Sequence, residues 1–371
     1  MKIVIAMDSL KGSLDARSAC EAAARGIRSA LPGTDIVIKP MADGGEGTAD
    51  AFRSAWGGTW IPLRATGPLP GRDVDAGYAW FEDRHCSVVE MAAASGITLL
   101  ARNDLNPLRT TTFGTGQLLK DAFARGAPVR LAVGGSATVD GGVGAAMALG
   151  WKFLDANGKS VGLGGGELAR ITSIAPPEAG SFPPVEVLCD TTVPLCGERG
   201  AAPTFGPQKG ATPDMVRQLG DGLANLAARV RSTLGLDIAT LPGGGAAGGL
   251  AAGAVAFFRA RIVSGVEAVI KATGLAESLA GADWVVTGEG CFDATSLGGK
   301  VVSGVIGTAR GTGARVAVLA GSVRLAEAEW RAAGVSAAAS LKTDAMSVEH
   351  AMAHTRELLE ARAGDLFQRP G

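Results

Sequence analysis

Along the N-terminal part of the chain, short runs of β-branched and aliphatic residues alternate with Ala-rich segments whose apolar positions recur every three to four residues. Residues 2–7 read as a buried strand, and residues 15–30 as an amphipathic helix closed by Leu31, Pro32 and Gly33. A strand over 35–39, a glycine-rich loop and a helix over 48–56 complete a βαβα opening, the pattern that predicts a parallel sheet. Residues 59–91 break that pattern. Three strand-like runs, 59–63, 76–81 and 86–91, are joined by Gly/Pro turns with no helical period between them, so this stretch is expected to be antiparallel or mixed.

Alternation then resumes with helix 116–125, strand 129–133, helix 144–149, irregular chain to Pro184, strand 185–189 and a long helix over 213–234. The remainder predicts helix 248–258, strand 284–287, helix 301–310, strand 316–319 and helices over 326–333 and 347–363. Strand–helix alternation dominates both ends while the mixed stretch lies inside, so one domain inserted in another is expected. The boundaries near Leu63 and Ala282 give a discontinuous α/β domain over 1–63 and 282–371 and an inserted α/β domain over 64–281.

A length of 371 residues supports two or three such cores. Lys plus Arg number 35 against 36 Asp plus Glu, which leaves no basic footprint for nucleic acid or an anionic membrane. Apolar runs such as 250–258 fall far short of the roughly 20 residues that cross a bilayer. The short apolar run before Asp8 lacks the h-region of a signal peptide, so a cytoplasmic location is expected. Five scattered cysteines without a C-x-x-C pair indicate neither a disulfide framework nor a zinc site. His350 and His354 stand four apart on a predicted helix but have no third ligand nearby, and read as a solvated face.

Glycine is the outlier: 55 residues, about 15% of the chain and roughly twice average usage, gathered in loops. Strand after predicted strand ends in small residues plus a carboxylate, hydroxyl or lysine. Asp8, Ser9 and Lys11 follow the first; Asp43, Gly44, Gly45 and Glu46 the second; Gly134, Gly135, Ser136 and Asp140 a later one. Asp190, then Glu289 with Asp293, then Gly321 with Ser322 repeat the arrangement. Ligands of open α/β sheets bind beyond the carboxyl ends of strands, and glycine lets several backbone N–H groups approach an anion, so these loops suggest phosphate. Each loop alone is equally a turn or a helix cap; six alike are harder to explain that way.

Residues 288–300 fail the phosphate-loop pattern, since Ala294 stands where its first glycine belongs and Val301 follows Lys300. Gly243, Gly245 and Gly248 match the dinucleotide fingerprint formally, behind a short predicted strand over 238–241 that ends at Pro242. Residues 205–211 place Lys209 in a rigid glycine-flanked turn, where a lysine can hold phosphate as a point charge or lie solvated. No Ser-His-Asp set can be assembled from three histidines in unremarkable contexts.

These strings resemble the glycerate kinases of the glycerate 2-kinase type. The matching stretches are 1–14, 41–48, 106–116, 134–144, 205–211, 242–250 and 287–300, in family order over nearly the whole chain. The resemblance implies two α/β domains with parallel and mixed sheets, one inserted in the other, and an active site in the interdomain cleft. It also implies ATP-dependent phosphorylation of D-glycerate, at the 2-hydroxyl, with Mg2+, in glyoxylate or sugar-acid metabolism. On that reading Asp190 accepts the substrate proton, with Asp8 and Lys11 also catalytic, and Ser9 and Lys11 meet the glycerate carboxylate. Asp43, Glu46, Ser136 and Asp140 complete the substrate site, while Glu289 and Asp293 hold the metal. Lys209 and Lys300 balance nucleotide phosphates, and the loop of Gly243, Gly244, Gly245 and Gly248 lends them its amides. The family pattern has Pro where Met7 stands, Asn where Val139 and Val193 stand and Gln where Ala294 stands. Each lost amide side chain removes a donor and acceptor, which keeps open another small hydroxy acid as substrate or a non-catalytic ligand-binding relative, and the Gly243 loop keeps open an NAD-linked dehydrogenase.

Overall fold

A computed structural model of the protein describes residues 1–178 and 181–368. In chain order it opens with β1 (Lys2–Ile5), α1 (Ala16–Ala30), β2 (Asp35–Ile38) and α2 (Thr48–Trp56). The strand-rich stretch follows as β3 (Thr59–Thr66), β4 (Asp73–Phe81) and β5 (Cys86–Glu90), then α3 (Ala92–Ser95), α4 (Phe113–Phe123), β6 (Val129–Ala132) and α5 (Val143–Ala148). Next come β7 (Lys152–Leu154), β8 (Ser173–Ala175), β9 (Val185–Leu188), α6 (Ala201–Phe205), α7 (Pro213–Leu234), α8 (Leu250–Phe258) and β10 (Arg261–Val263). The chain continues through α9 (Gly265–Thr273), α10 (Leu275–Ser278), β11 (Trp284–Thr287), β12 (Cys291–Phe292), α11 (Val301–Ala309), β13 (Arg315–Ala320) and β14 (Ser322–Val323). It closes with α12 (Glu327–Ala332), β15 (Val335–Ser340), α13 (Val348–Ala353) and α14 (Thr355–Gln368).

The chain divides into two compact units: Met1–Asp43, Asp50–Gly57 and the chain from Val266 onward form the first, Gly44–Ala49 and Gly58–Gly265 the second. The boundaries expected at Leu63 and Ala282 lie elsewhere. All of β3 pairs with β4 in the second unit, and α9 and α10 belong to the first.

The first unit is built on a parallel sheet in the order β15-β13-β11-β1-β2. Its central strands β1 and β11 are rich in β-branched residues and bury Ile3, Val4, Ile5, Val285 and Val286 completely, as a sheet covered on both faces requires. From β1 the chain crosses to β2 on one side and later returns at β11 on the other, so the topological switch point lies between β1 and β11. The start of α1 is fixed by Asp15, whose Oδ1 accepts the Ser18 amide at 2.8 Å. Its alanine face, with Ile27, packs into a core shared with Leu359 and Ala363 of α14.

The second unit carries a mixed sheet in the order β10-β9-β6-β5-β4-β3. The β3, β4 and β5 strands are antiparallel, and β5, β6, β9 and β10 run parallel, as the change of texture after residue 59 predicts. Tyr78 is buried in its core, and its hydroxyl donates to Asp121 Oδ1 at 2.6 Å while accepting from Arg125 Nε at 2.7 Å.

Several local expectations need correction. Residues 238–241 form no strand, because Pro242 and the glycines behind it break any ladder. The irregular chain before Pro184 holds the β7–β8 hairpin. The helix expected over 347–363 is two helices that part at His354. Unpredicted β15 is an alanine-rich strand of low intrinsic strand preference that exists through its parallel pairing with β13. No helix among the described residues is long and apolar enough to cross a membrane.

Candidate active site

At the carboxyl ends of β1, β11, β13 and β15 the first unit opens into a cavity of about 440 Å³. Its lining includes Asp8, Ser9, Lys11, Asp43, Glu289, Asp293, Lys300, Gly321 and Ser322, so nine of the residues singled out from the sequence meet in one place. Backbone bonds between successive strand ends hold them there. The Asp8 amide donates to Gly288 O at 2.9 Å, the Gly321 and Ser322 amides to Glu289 O and Gly290 O, each at 3.1 Å, and the Lys342 amide to Gly321 O at 3.1 Å. Gly288 is required at this crossing, since a Cβ there would stand 1.8 Å from Leu319 O.

The carboxylates differ in character. Asp8 is 7% exposed and its pKa is pushed up to about 7, first by burial and then by the Asp43 charge; the Ser9 amide, donating to Oδ1 at 2.6 Å, and Lys11 act the other way. Glu289 is also pushed up by burial. The Ser296 hydroxyl, spent on Cys291 O at 3.2 Å, and Lys300, whose Nζ stands 3.9 Å from Glu289 Oε2, only moderate the shift. Glu289 Oε1 is buried with no hydrogen-bond partner. Asp293 lies below the ordinary carboxylate range because the Thr295 hydroxyl and amide donate to its Oδ1 at 2.6 and 2.9 Å, aided by Lys300. Arg324, Lys342 and Ser13 line the same cavity and went unrecognised in the sequence, where lone cations and serines carry no signal.

The remaining candidates belong to the second unit. Asp190 Oδ1 accepts the Ser264 hydroxyl at 2.6 Å, and Glu46 Oε1 accepts the Thr98 hydroxyl at 3.1 Å. Lys209 and Asp140, expected to bind nucleotide and substrate, are both buried and bonded within the unit. Lys209 is 1% exposed and donates to Ser136 Oγ at 2.6 Å and Thr138 O at 2.7 Å; burial pulls its pKa down to about 7, against the Asp140 charge. It ties its turn to the loop of Ser136 and Thr138. Asp140, 1% exposed, accepts the Thr112 amide and hydroxyl, the Thr111 hydroxyl and the Gly142 and Gly144 amides, most of them on Oδ2.

The Gly243 loop packs within the same unit. The Gly244 amide donates to Leu241 O and the Gly245 amide to Val193 O, each at 2.9 Å, so neither is offered to a nucleotide. Gly248, at φ +63°, would bring a Cβ to 2.0 Å from Thr138 O, and its carbonyl accepts the Gly141 amide at 3.0 Å. These glycines serve close packing inside the unit, and no strand precedes them, which removes the dinucleotide fingerprint and with it the dehydrogenase alternative. Of the positions that depart from the family pattern, Met7 and Val139 are completely buried in the two cores and present nothing to a ligand.

The chain is similar to known proteins along most of its length. The model of the glycerate kinase family matches residues 3–369. A glycerate kinase of Halalkalibacterium halodurans is 42% identical over 368 residues, covering 98% of this chain and 97% of its own. The glycerate 2-kinase of Escherichia coli is 41% identical over 330 residues, covering 87% and 86%. The crystal structure of a glycerate kinase 2 from Salmonella typhimurium LT2 matches with a TM-score of 0.82 at 39% identity, over 99% of this chain and 97% of that one.

Proposed function

The chain belongs to the glycerate kinase family, and from that premise we propose that it transfers the γ-phosphoryl group of ATP to the 2-hydroxyl of D-glycerate, releasing 2-phosphoglycerate and ADP. The observation that carries this reading is the first unit's cavity, where Asp8, Asp43, Glu289 and Asp293 face Lys11, Lys300, Arg324 and Lys342 at the carboxyl ends of a parallel sheet. Phosphoryl transfer asks a protein mainly for positioning, charge neutralisation and a group to take the hydroxyl proton, and this set supplies all three.

The donor set fits a magnesium nucleotide. Glu289 Oε1 is a buried carboxyl oxygen without a hydrogen-bond partner, which a cation or its bound water would satisfy, and Asp293 is held ionised beside it. Among the described residues no group of three or more His, Cys, Asp or Glu is arranged to hold a metal. Glu289 and Asp293 would therefore bind Mg2+ together with water or phosphate oxygens, the coordination that Mg2+ prefers. When bound, Mg2+·ATP supplies the phosphoryl group and neutralises charge on its oxygens.

The chain's own residues do the rest. Lys11 and Ser9 hold the glycerate carboxylate. Lys300, steered by Glu289 Oε2 and by Thr295 Oγ1 at 3.0 Å, adds positive charge for the phosphates. Asp8, poised near neutrality by burial, receives the proton as the substrate oxygen bonds to phosphorus and the bond from phosphorus to the departing ADP oxygen breaks. Asp190 retains the role of an alternative base, with Ser264 fixing its orientation.

The test is ADP release by the purified protein with Mg-ATP against D-glycerate, L-glycerate, glycolate and tartronate, with products identified by phosphorus NMR. Phosphate on C2 of D-glycerate is expected. Phosphate on C3 overturns the regiochemistry, turnover with another acid overturns the substrate, and silence with all four overturns the kinase reading.

A further inference from the structure

One wall of the first unit's cavity has no task in the chemistry of glycerate. Val348, Ala351 and Met352 of α13 form it together with Leu10 and Leu341. Val348 is 55% exposed and Met352 42%, although large aliphatic side chains on the neighbouring strands are fully buried. They stand four residues apart, so they share one face of the helix. No residue of α13 is buried, which means that this apolar face contributes little to the core of the unit. Met352 reaches toward the loop after β1, where a Cβ added at Gly12 would stand 3.0 Å from its methyl carbon.

Glycerate carries an oxygen on each of its three carbons and offers no surface that gains from such a wall. The reactant that joins a flat, weakly polar ring to a polyanion is the nucleotide. The cavity has the matching division: aliphatic and thioether groups along α13, and the cations Lys11, Lys300, Arg324 and Lys342 elsewhere on its lining. A thioether beside an aromatic ring is favourable, and methionine adapts its shape to the ring it meets.

We propose that Val348, Ala351 and Met352 of α13 form the subsite for the purine base of the nucleotide, with the polyphosphate directed to Lys300, Arg324 and Lys342. The assignment rests on the kinase reading above, and it moves the nucleotide from the Gly243 loop expected from the sequence to the far end of the chain. Arg324 and Lys342 thereby become phosphate-binding residues. The Ser347 hydroxyl, accepting the His350 amide at 3.1 Å, fixes the first turn of the helix that carries the base.

Binding of ADP and of inorganic tripolyphosphate, measured by calorimetry, tests the assignment on three proteins: wild type, the double variant Val348→Ser/Met352→Ser, and Lys300→Met. The exposed positions of Val348 and Met352 make the double variant tolerable to the fold, which circular dichroism checks. The double variant is expected to weaken ADP about ten-fold or more and leave tripolyphosphate unchanged, while Lys300→Met weakens both. In the wild type, 8-azido-ADP is expected to photolabel residues 345–356. If Lys300→Met weakens both ligands but the double variant binds ADP normally, the base subsite is overturned and the kinase reading stands. If the label falls on residues 241–250, the base belongs to the Gly243 loop and the proposal fails. A wild type that releases no ADP with any acid refutes the kinase reading by a separate assay.

Discussion

Lys300 Nζ lies 3.9 Å from Glu289 Oε2, while the other oxygen of that carboxylate is buried without a hydrogen-bond partner. A buried acceptor left unsatisfied costs about 1–3 kcal/mol, more when it is charged, so stability alone does not account for a glutamate here. Glu289→Gln keeps the shape and removes the charge. It is expected to leave the melting temperature unchanged or higher, and to lower kcat/KM at least about ten-fold with a raised requirement for Mg2+. Thermal unfolding and kinetics across Mg2+ concentrations check this; an unaltered Mg2+ dependence removes Glu289 from the cation's ligands.

Asp8 predicts a pH signature. Its ordinary pKa of 3.8 is raised in the folded protein to about 7. Between those values the folded protein keeps a proton that the unfolded chain has lost, so the stabilisation is complete below pH 3.8 and is lost as pH rises through about 7. Asp8→Asn, neutral at every pH, is expected to melt above wild type at pH 8, with the gap closing near pH 4. As the base, Asp8 also gives kcat/KM an ascending limb near pH 7 that the variant lacks along with most of its activity. A limb retained in Asp8→Asn and lost in Asp190→Asn transfers the proton to Asp190.

The sheet of the first unit is legible in the sequence because 2–5 and 284–287 are unbroken strand formers, and the loops behind them declare themselves by placing carboxylates among glycines. What those loops do is less legible, since turns, caps and ligand loops use the same residues. Asp140 and Asp8 look alike in sequence, yet one is held by the backbone and hydroxyl donors around it and the other opens on a cavity. Lys209 and Lys300 are both glycine-preceded or glycine-flanked lysines, and only burial tells them apart. Arg324 and Lys342 could not be found at all. They reach the site through the pairing of β12 with β14 and the bond from the Lys342 amide to Gly321 O, which are tertiary facts.

Asp140 therefore carries a prediction about stability. Asp140→Ala leaves the Thr112 amide, donating at 2.8 Å, and the Gly142 amide, donating at 3.1 Å, without an acceptor in the interior, along with the Thr111 and Thr112 hydroxyls. A loss of roughly 3–5 kcal/mol is expected from urea unfolding, with Asp140→Asn intermediate. A variant as stable as wild type with only a raised KM for glycerate would return Asp140 to the substrate site.

Gly288 links the two carboxylates through backbone geometry. Its carbonyl accepts the Asp8 amide at 2.9 Å and it directly precedes Glu289, while a Cβ at this position would meet Leu319 O at 1.8 Å and the Met7 methyl at 2.7 Å. The backbone oxygen cannot move without distorting β13, so Gly288→Ala must push the β11 loop away from both β13 and β1 and displace Asp8 and Glu289 together. Destabilisation of at least about 1–3 kcal/mol is expected, with activity falling further than the loss of folded protein explains. Gly290→Ala is the control on the same loop, because the nearest atom to its added Cβ is the Lys11 amide nitrogen at 3.9 Å, an ordinary contact. Equal melting temperatures for the two variants would mean that the crossing at Gly288 is looser than the structure shows and that it does not hold Asp8 and Glu289 in register.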